Sequence, residues 1–370
     1  MDASCFKFHV PRSMIIGIHA KGAFKYERTG VEEYVYQLFK HFAMLDESTQ
    51  HSFLLYTPYY KDTLYLPDNF SVRQFYSPFF WTKFRLSLKM LFDAPDVLFM
   101  PANFLPMLYP RRTIATIHGL EFEYYPEAFA PSHLAYLRSG TRRGVRSAKK
   151  IIVPTNAGKE DLIKFYKADP NKIIVIHYGV NPQVAYHRRY PPIDEQYILF
   201  VGKLEKKKNV QNIVKAFEVL KEKYKIPHKL VLVGSPGFGY HEIQKEIDGT
   251  LYKTDIVLTG YISQEEKESF FKYADVFVFP SLYEGFGMPI LEAQLRQVPV
   301  ITSRIPCILE VAGDGALFVD PASVEQLTET IFTVVSDDAV RSDLVAKGLK
   351  NAQKYSWFKC AKETLETLIT

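Results

Sequence analysis

Short apolar runs recur along the chain, each bounded by Gly, Pro, Asn or Ser. Between most of them the apolar positions fall at helical spacing. Such runs predict buried strands, and the spaced segments predict helices packed on them. In the first half the predicted strands cover residues 14–18, 52–56, 96–101, 113–119, 150–153 and 173–176. In the second half they cover 197–201, 229–234, 256–261 and 276–279. A helix starts near Val31, with Val31, Val35, Leu38 and Phe39 on one face. Others cover 131–150, follow a cap at Thr155 or Asn156, start at Val210, run from a Ser263/Glu266 capping box through Tyr273, and follow Ser323/Gln326. Strand–helix alternation in both halves predicts an α/β protein of two doubly wound, Rossmann-like domains facing across a cleft. Residues 182–196 lack periodicity and read as a linker between a domain at 1–181 and one at 197–354. A last helix, 355–370, carries Trp357, Ala361, Leu365 and Leu368 on one face.

Composition narrows the class. With 47% hydrophobic and 24% charged residues, this is the make-up of a globular protein. No apolar run reaches the ~18 residues of a membrane span, and the first residues lack a basic region followed by an apolar one, so no secretory signal is expected. Cys5, Cys307 and Cys360 are scattered, which predicts a reducing compartment with neither a disulfide framework nor a zinc site. The net charge of +5 suits an anionic ligand or an anionic membrane surface and does not call for nucleic acid. Two segments bear on the membrane question. Residues 79–92 combine Phe80, Phe84, Leu88 and Leu91 on one face with Lys83, Arg85 and Lys89, and 131–150 is rich in Arg. A helix packed on the sheet and a solvated charged face are the plain readings; contact with anionic lipid is the alternative.

The densest chemistry lies at 277–294, FVFPSLYEGFGMPILEAQ. An apolar run gives way to Pro280, Ser281 and two glycines, and Pro289 then leads a helix start. Pro is favoured in a first helical turn, where its missing N–H costs nothing. The free N–H groups and dipole there suit an anion such as a diphosphate. Glu284 and Glu292 flank this turn. The paired carboxylates of a glycosidase stand roughly 5 to 9.5 Å apart, whereas eight residues of helix rise about 12 Å. The spacing suits two grips on one elongated ligand, with two solvated glutamates as the plain alternative. Lys203, Lys206, Lys207 and Lys208 follow a predicted strand, as an anion site or a solvated patch. His118 ends another strand, on the side where ligands gather in open α/β sheets. Gly17, Gly22 and Gly30 make no G-x-G-x-x-G, which argues against a dinucleotide dehydrogenase. Gly234, Gly237 and Gly239 form a glycine loop past a predicted strand, in the wrong order for that fingerprint, and read as lining the cleft.

Pro280, Ser281, Glu284, Gly285, Phe286, Gly287, Pro289, Glu292 and Ala293 match a P-S-x-x-E-G-F-G-x-P-x-x-E-A signature. Here the chain resembles the family 4 retaining glycosyltransferases, which have the two-domain GT-B fold. Gly202-Lys203-Leu204 with Lys208-Asn209 matches that family's G-[RK]-L-x-x-x-K-N, and residues 28–35 resemble its first loop and helix. Residues 116–118 with Pro126-Glu127 resemble its H-D-L…P-E segment, except that Gly119 replaces the Asp. Leu295, Arg296 and Gln297 stand where the family often has a small residue and a Gly before V-P-V. The resemblance runs from about Met14 to Leu365.

The resemblance implies a metal-independent hexosyltransferase with no cofactor beyond its donor substrate, a GDP-, UDP- or dTDP-sugar; no D-x-D motif is evident. By the same resemblance Lys203 and Lys208 neutralise the diphosphate, Glu284 holds sugar hydroxyls beside the Gly285–Phe286–Gly287 backbone, and Glu292 holds the ribose. His118 lies against the transferred sugar, Gly30 lets backbone approach the phosphates, Gly234 faces the nucleotide, and Tyr261 lies near the base. The final helix is expected to cross back onto the first domain. The first loop is similar to that of mannosyl- and rhamnosyltransferases of surface polysaccharide assembly, so GDP-mannose is the leading donor, with a glycan or lipid-linked acceptor. A cytoplasmic protein, or one peripheral on the inner face of the membrane, is expected. A nucleotide-sugar epimerase, a phosphorylase, or a non-catalytic nucleotide-sugar-binding protein on the same fold are the alternatives.

Overall fold

A computed structural model describes residues 13–25, 28, 30–60, 64–76, 81–102, 104–181 and 192–370. Cys5, Thr29, Phe79, Phe80 and most of the expected linker lie outside the described residues.

The chain builds two wholly parallel sheets. The first takes β1 (Ile15–His19), β2 (Ser52–Thr57), β3 (Phe70–Gln74), β4 (Val97–Met100), β5 (Thr113–Thr116), β6 (Lys150–Val153) and β7 (Ile173–Val175), in the spatial order 3-2-1-4-5-6-7. The second takes β8 (Tyr197–Val201), β9 (Lys229–Val233), β10 (Ile256–Gly260), β11 (Val276–Phe279), β12 (Val300–Ser303) and β13 (Leu317–Val319), in the order 10-9-8-11-12-13. A parallel sheet covered on both faces needs strands that are apolar throughout. β4, β5, β8 and β11 are buried at every position. Strand order reverses between β1 and β4 and again between β8 and β11, and ligands of open α/β sheets bind at such switch points.

The helices are α1 (Gly30–Phe42), α2 (Leu86–Asp93), α3 (Glu121–Tyr124), α4 (Pro131–Ser147), α5 (Asn156–Tyr166), α6 (Val210–Lys223), α7 (Tyr240–Gly249), α8 (Gln264–Lys272), α9 (Met288–Leu295), α10 (Pro306–Ala312), α11 (Val324–Ser336), α12 (Asp338–Ala352) and α13 (Trp357–Ile369). The doubly wound reading of both halves holds, and several caps are the expected ones. Thr155 caps α5 by accepting from the Gly158 N–H, and Ser263 and Glu266 form the reciprocal box on α8. Trp357, Cys360, Ala361, Leu365 and Leu368 of α13 are buried in one cluster with Tyr34, Leu38 and Phe39 of α1. The Arg112 guanidinium also donates to the Leu368 carbonyl at 2.8 Å. Among the described residues no helix is long and apolar enough to cross a membrane.

Three local expectations are corrected. β3 escapes the apolar pattern because this edge strand is polar and half-exposed past Phe70. The segment after residue 80 opens as a wide π-type turn, Trp81–Arg85, before α2 begins. α4 stops at Ser147, because the Lys149 N–H already donates to the Thr113 carbonyl beside the sheet.

Arg296, one of the residues departing from the family pattern, is buried. Its Nε donates to Glu268 of α8 at 2.5 Å, and a second guanidinium nitrogen engages the other carboxylate oxygen. Removing one member of such a pair strands a charge in the core. Arg296→Ala should therefore cost about 3–5 kcal/mol in denaturant unfolding. The double variant Arg296→Met/Glu268→Leu should recover most of that; an Arg296→Ala loss below about 1 kcal/mol would contradict the pairing.

Candidate active site between the two sheets

The Lys-rich loop follows β8 and the 280–287 loop follows β11, so neighbouring strand ends bring both to one switch point. Asn209 locks them together. It adopts φ of 60° at the start of α6, and its side-chain N–H donates to the Pro280 carbonyl at 3.1 Å and the Pro321 carbonyl at 2.7 Å. The Leu282 N–H donates to the Lys207 carbonyl at 2.8 Å. Held in this way, Lys208 and Glu284 form a mostly buried ion pair, with the ammonium 5.0 Å over the Phe279 ring. Lys203 instead is exposed, with no ion-pair or hydrogen-bond partner for its ammonium among the described residues. It lines a cavity of about 210 Å³ with Glu121, Tyr125, Phe129 and Phe238. A larger cavity, about 540 Å³, lies against α13 beside His41, Leu295 and Trp357 and includes none of the candidate residues.

α9 begins at this junction. Gly287 precedes it with φ of 95°, a left-handed value that a glycine meets without strain, and Pro289 sits in the first turn. Across the cleft, the Met288 methyl lies 3.1 Å from where a Gly30 side chain would start. Glu292 pairs with Lys267 of α8 at 2.8 Å, a partner that no local spacing signals. Gly234 packs against the Gly202 backbone at the ends of β8 and β9. Tyr261 is exposed just past β10. Phe286 is buried, its ring 4.8 Å from that of Tyr178, so only its backbone is available to a ligand.

The opposite wall is the loop after β5. His118 is fixed by both ring nitrogens. Nε2 faces the Pro101 carbonyl at 2.9 Å, and a carbonyl can only accept, so Nε2 carries the hydrogen. Nδ1 then accepts from the Tyr178 hydroxyl. Burial pushes this imidazole down to about 4, and the Pro101 bond and the Glu32 charge recover only part of the loss. His118 is therefore neutral at pH 7, and with both nitrogens engaged it meets the cleft as a positioned, uncharged ring.

The two walls touch. A Cβ on Gly285 would fall 1.9 Å from the His118 carbonyl oxygen, so no other residue fits there. The Leu120 N–H donates to the Tyr283 hydroxyl at 2.7 Å, and Glu121 forms an ion pair with Lys207. The solvated-patch reading is thus corrected for Lys207; the pairing crosses between the halves, where local spacing carries no signal. Burial alone would lower the Lys207 ammonium, but Glu121, Glu205 and Glu284 outweigh it and hold its pKa above the usual lysine value. Further along the same junction, Glu310 of α10 accepts from the Asn156 N–H at 2.9 Å, the Ala157 N–H at 3.3 Å and His177 at 2.9 Å. Burial would raise this carboxyl, yet those donors keep it below the ordinary glutamate value. The candidate residues so gathered are a lysine–carboxylate pair, a glycine-rich turn opening a helix, and a neutral histidine. That is a set suited to holding an anionic, hydroxyl-bearing ligand. Among the described residues, no cluster of His, Cys, Asp and Glu could hold a metal ion.

Comparison with known proteins agrees with this class. Residues 28–184 match Glycosyltransferase Family 4, and residues 187–351 match Glycosyl transferases group 1. The chain belongs to the GT-B glycosyltransferases built from these two domains. It is 26% identical over 282 residues to O-antigen chain mannosyltransferase B of Escherichia coli, covering 74% of each chain. It is 28% identical over 262 residues to the O-antigen chain mannosyltransferase RfbU of Salmonella typhimurium, covering 68% of this chain and 70% of that one. Among solved structures, HepE of Anabaena in complex with UDP-glucose superposes with a TM-score of 0.75 at 16% identity, over 96% of this chain and 99% of that one. The sucrose-phosphate synthase of Thermosynechococcus elongatus superposes at 0.72 with 19% identity, over 96% and 98%.

A pH prediction follows from His118. Its folded pKa lies below the ordinary histidine value of 6.5, so its contribution to stability is complete above pH 6.5 and declines as pH falls towards about 4. The His118 ring protons should show no titration in NMR between pH 7.5 and about 5; a midpoint near 6.5 would contradict the two-bond anchoring.

Proposed function

We propose that this protein transfers a hexose, with retention of configuration, from a nucleoside-diphosphate sugar to a glycan or lipid-linked acceptor in surface polysaccharide assembly. GDP-mannose is the leading donor. The observation that carries this reading is the Lys208–Glu284 pair at the mouth of α9. An ammonium and a carboxylate in contact satisfy each other until a ligand arrives. A donor entering there separates them: the ammonium turns to the diphosphate and the carboxylate to sugar hydroxyls. Lys203, free of any partner among the described residues, adds a second cation. Two of the relatives compared above carry names of O-antigen mannosyltransferases, which supports the donor and the pathway class.

In this mechanism the bond between the anomeric carbon and the leaving phosphate oxygen breaks as the acceptor hydroxyl approaches the same face. The acceptor's proton passes to the departing phosphate. Negative charge builds on the diphosphate, and a single charge pair at 4 Å is worth about 4 kcal/mol at an effective dielectric of 20. Lys203, Lys208 and the start of α9 supply that stabilisation, so the reading needs no metal and no cofactor. A neutral His118 adds no repulsion to a sugar that becomes cationic. Glu292 holds the ribose after exchanging its Lys267 partner. The site works in the cytoplasm or at the inner face of a membrane.

The test is transfer from GDP-mannose, with the product's anomeric configuration read by NMR. Retention is expected, and inversion would contradict the mechanism. Lys208→Ala should lower turnover about 10²- to 10³-fold with circular dichroism unchanged; wild-type turnover in that variant would remove the phosphate role.

A further inference from the structure

We propose that the cavity of about 540 Å³ beside α13 is a second binding site, for an uncharged saccharide. The inference rests on the lining of this cavity and stands whatever the donor proves to be. Its volume falls within the roughly 300–1,000 Å³ of small-molecule sites. Both halves of the chain build it. His41 of α1 and Val180 come from the first half, and Leu295, Gln297 and Gln353 come from the second. Leu295 ends α9, whereas the signature turn opens that helix about 10 Å away. The cavity is therefore separate from the cleft that holds Lys208 and Glu284.

The lining decides the class of ligand. Among the described residues it contains no Lys, Arg, Asp or Glu, so nothing there matches a phosphate or a carboxylate. It offers neutral polar groups beside aromatic rings instead. His41 donates from Nδ1 to the Gln37 carbonyl at 2.7 Å, which leaves Nε2 as an acceptor with no partner among the described residues. Burial and the Lys40 charge lower the pKa of this ring against the pull of the Gln37 bond, so it is neutral at pH 7. Gln297 and Gln353 are exposed, and neither amide has a partner among the described residues. The Ser356 hydroxyl accepts from the Lys359 N–H at 3.4 Å and keeps its own hydrogen to donate. The Phe358 ring is 48% exposed, and the buried indole N–H of Trp357 has no partner among the described residues. Amides that both donate and accept match sugar hydroxyls, and an exposed ring matches the C–H face of a sugar.

Gln297 is a second, independent sign. Its φ is 60°, a left-handed value that glycine enters freely and a side chain rarely adopts. It stands just past the end of α9, where glycine is the usual residue. This chain keeps a glutamine there, and that residue lines the cavity. Backbone strain retained at the wall of a ligand-sized cavity points to binding, since a glycine would serve the fold better.

The test is NMR of the full chain labelled with nitrogen-15. Its two tryptophans, Trp81 and Trp357, give two indole N–H signals, which Trp81→Phe assigns. Mannobiose or maltose should shift the Trp357 signal saturably and leave that of Trp81 in place. Gln297→Gly should weaken binding about tenfold, as one hydrogen-bonded amide is lost. Its melting temperature should hold or rise, because glycine suits this backbone. Gln353→Ala should weaken binding similarly. Three outcomes would overturn the proposal. Neither saccharide could shift Trp357 saturably. Gln297→Gly could bind as well as the wild type, which would assign the sugar to the cleft. Glucose 6-phosphate could produce an equal shift, which would make the ligand an anion. None of these bears on the transferase reading, whose test is formation of product.

Discussion

Everything at the site depends on how closely the His118–Gly119 backbone approaches Gly285. With a Cβ there only 1.9 Å from the His118 carbonyl oxygen, the contact exists because residue 285 has no side chain. That approach brings the end of β5 onto the turn after β11. The Leu120–Tyr283 hydrogen bond, the Glu121–Lys207 pair and Glu310 at the start of α5 lie along the same junction. Beneath it, Phe286 shares a buried cluster with Tyr178 and Trp357, so the seam is apolar inside and polar at its rim.

The charges at this seam are arranged in pairs. Lys208 with Glu284, Lys207 with Glu121, and Lys267 with Glu292 each bring a cation to a carboxylate in a partly buried setting. Leaving either partner alone there would carry a desolvation cost that pairing offsets. Two of these pairs contain a glutamate of the signature turn. A ligand that offers both phosphate and hydroxyl groups can take over both halves of a pair, whereas an apolar ligand can take over neither. In the proposed function, selectivity for a sugar nucleotide rests on this chemistry of exchange.

Much of this architecture is legible in the amino-acid sequence. The alternating apolar runs point to two doubly wound sheets, since a strand buried on both faces must be apolar throughout, and the GT-B class is what the resemblance carried by residues 280–293 implies. The turn around Glu284, Gly285 and Glu292 stands out because proline, glycine and carboxylate fall within a few positions. The partners do not. Lys267 lies on α8 and Glu121 on a one-turn helix, and each meets its partner only after chain elements distant in sequence come together. Arg296 reads as a departure from a pattern, and only packing reveals Glu268 beneath it. The polar edge strand β3 gives no apolar run because half of its side chains face solvent. Phe286 reads as part of a ligand turn, yet its ring is buried in the seam.

The central claim is that the paired charges beside α9 hold a nucleoside-diphosphate sugar. Thermal stabilisation by GDP, UDP, ADP, dTDP and NAD, each with chelator present, tests it directly. At 100 times its dissociation constant a nucleotide should stabilise the fold by about 2.7 kcal/mol. The account predicts a rise in melting temperature with one nucleoside diphosphate, GDP foremost, and a rise reduced in Lys208→Ala. A rise with NAD alone, or an undiminished rise in Lys208→Ala, would contradict it.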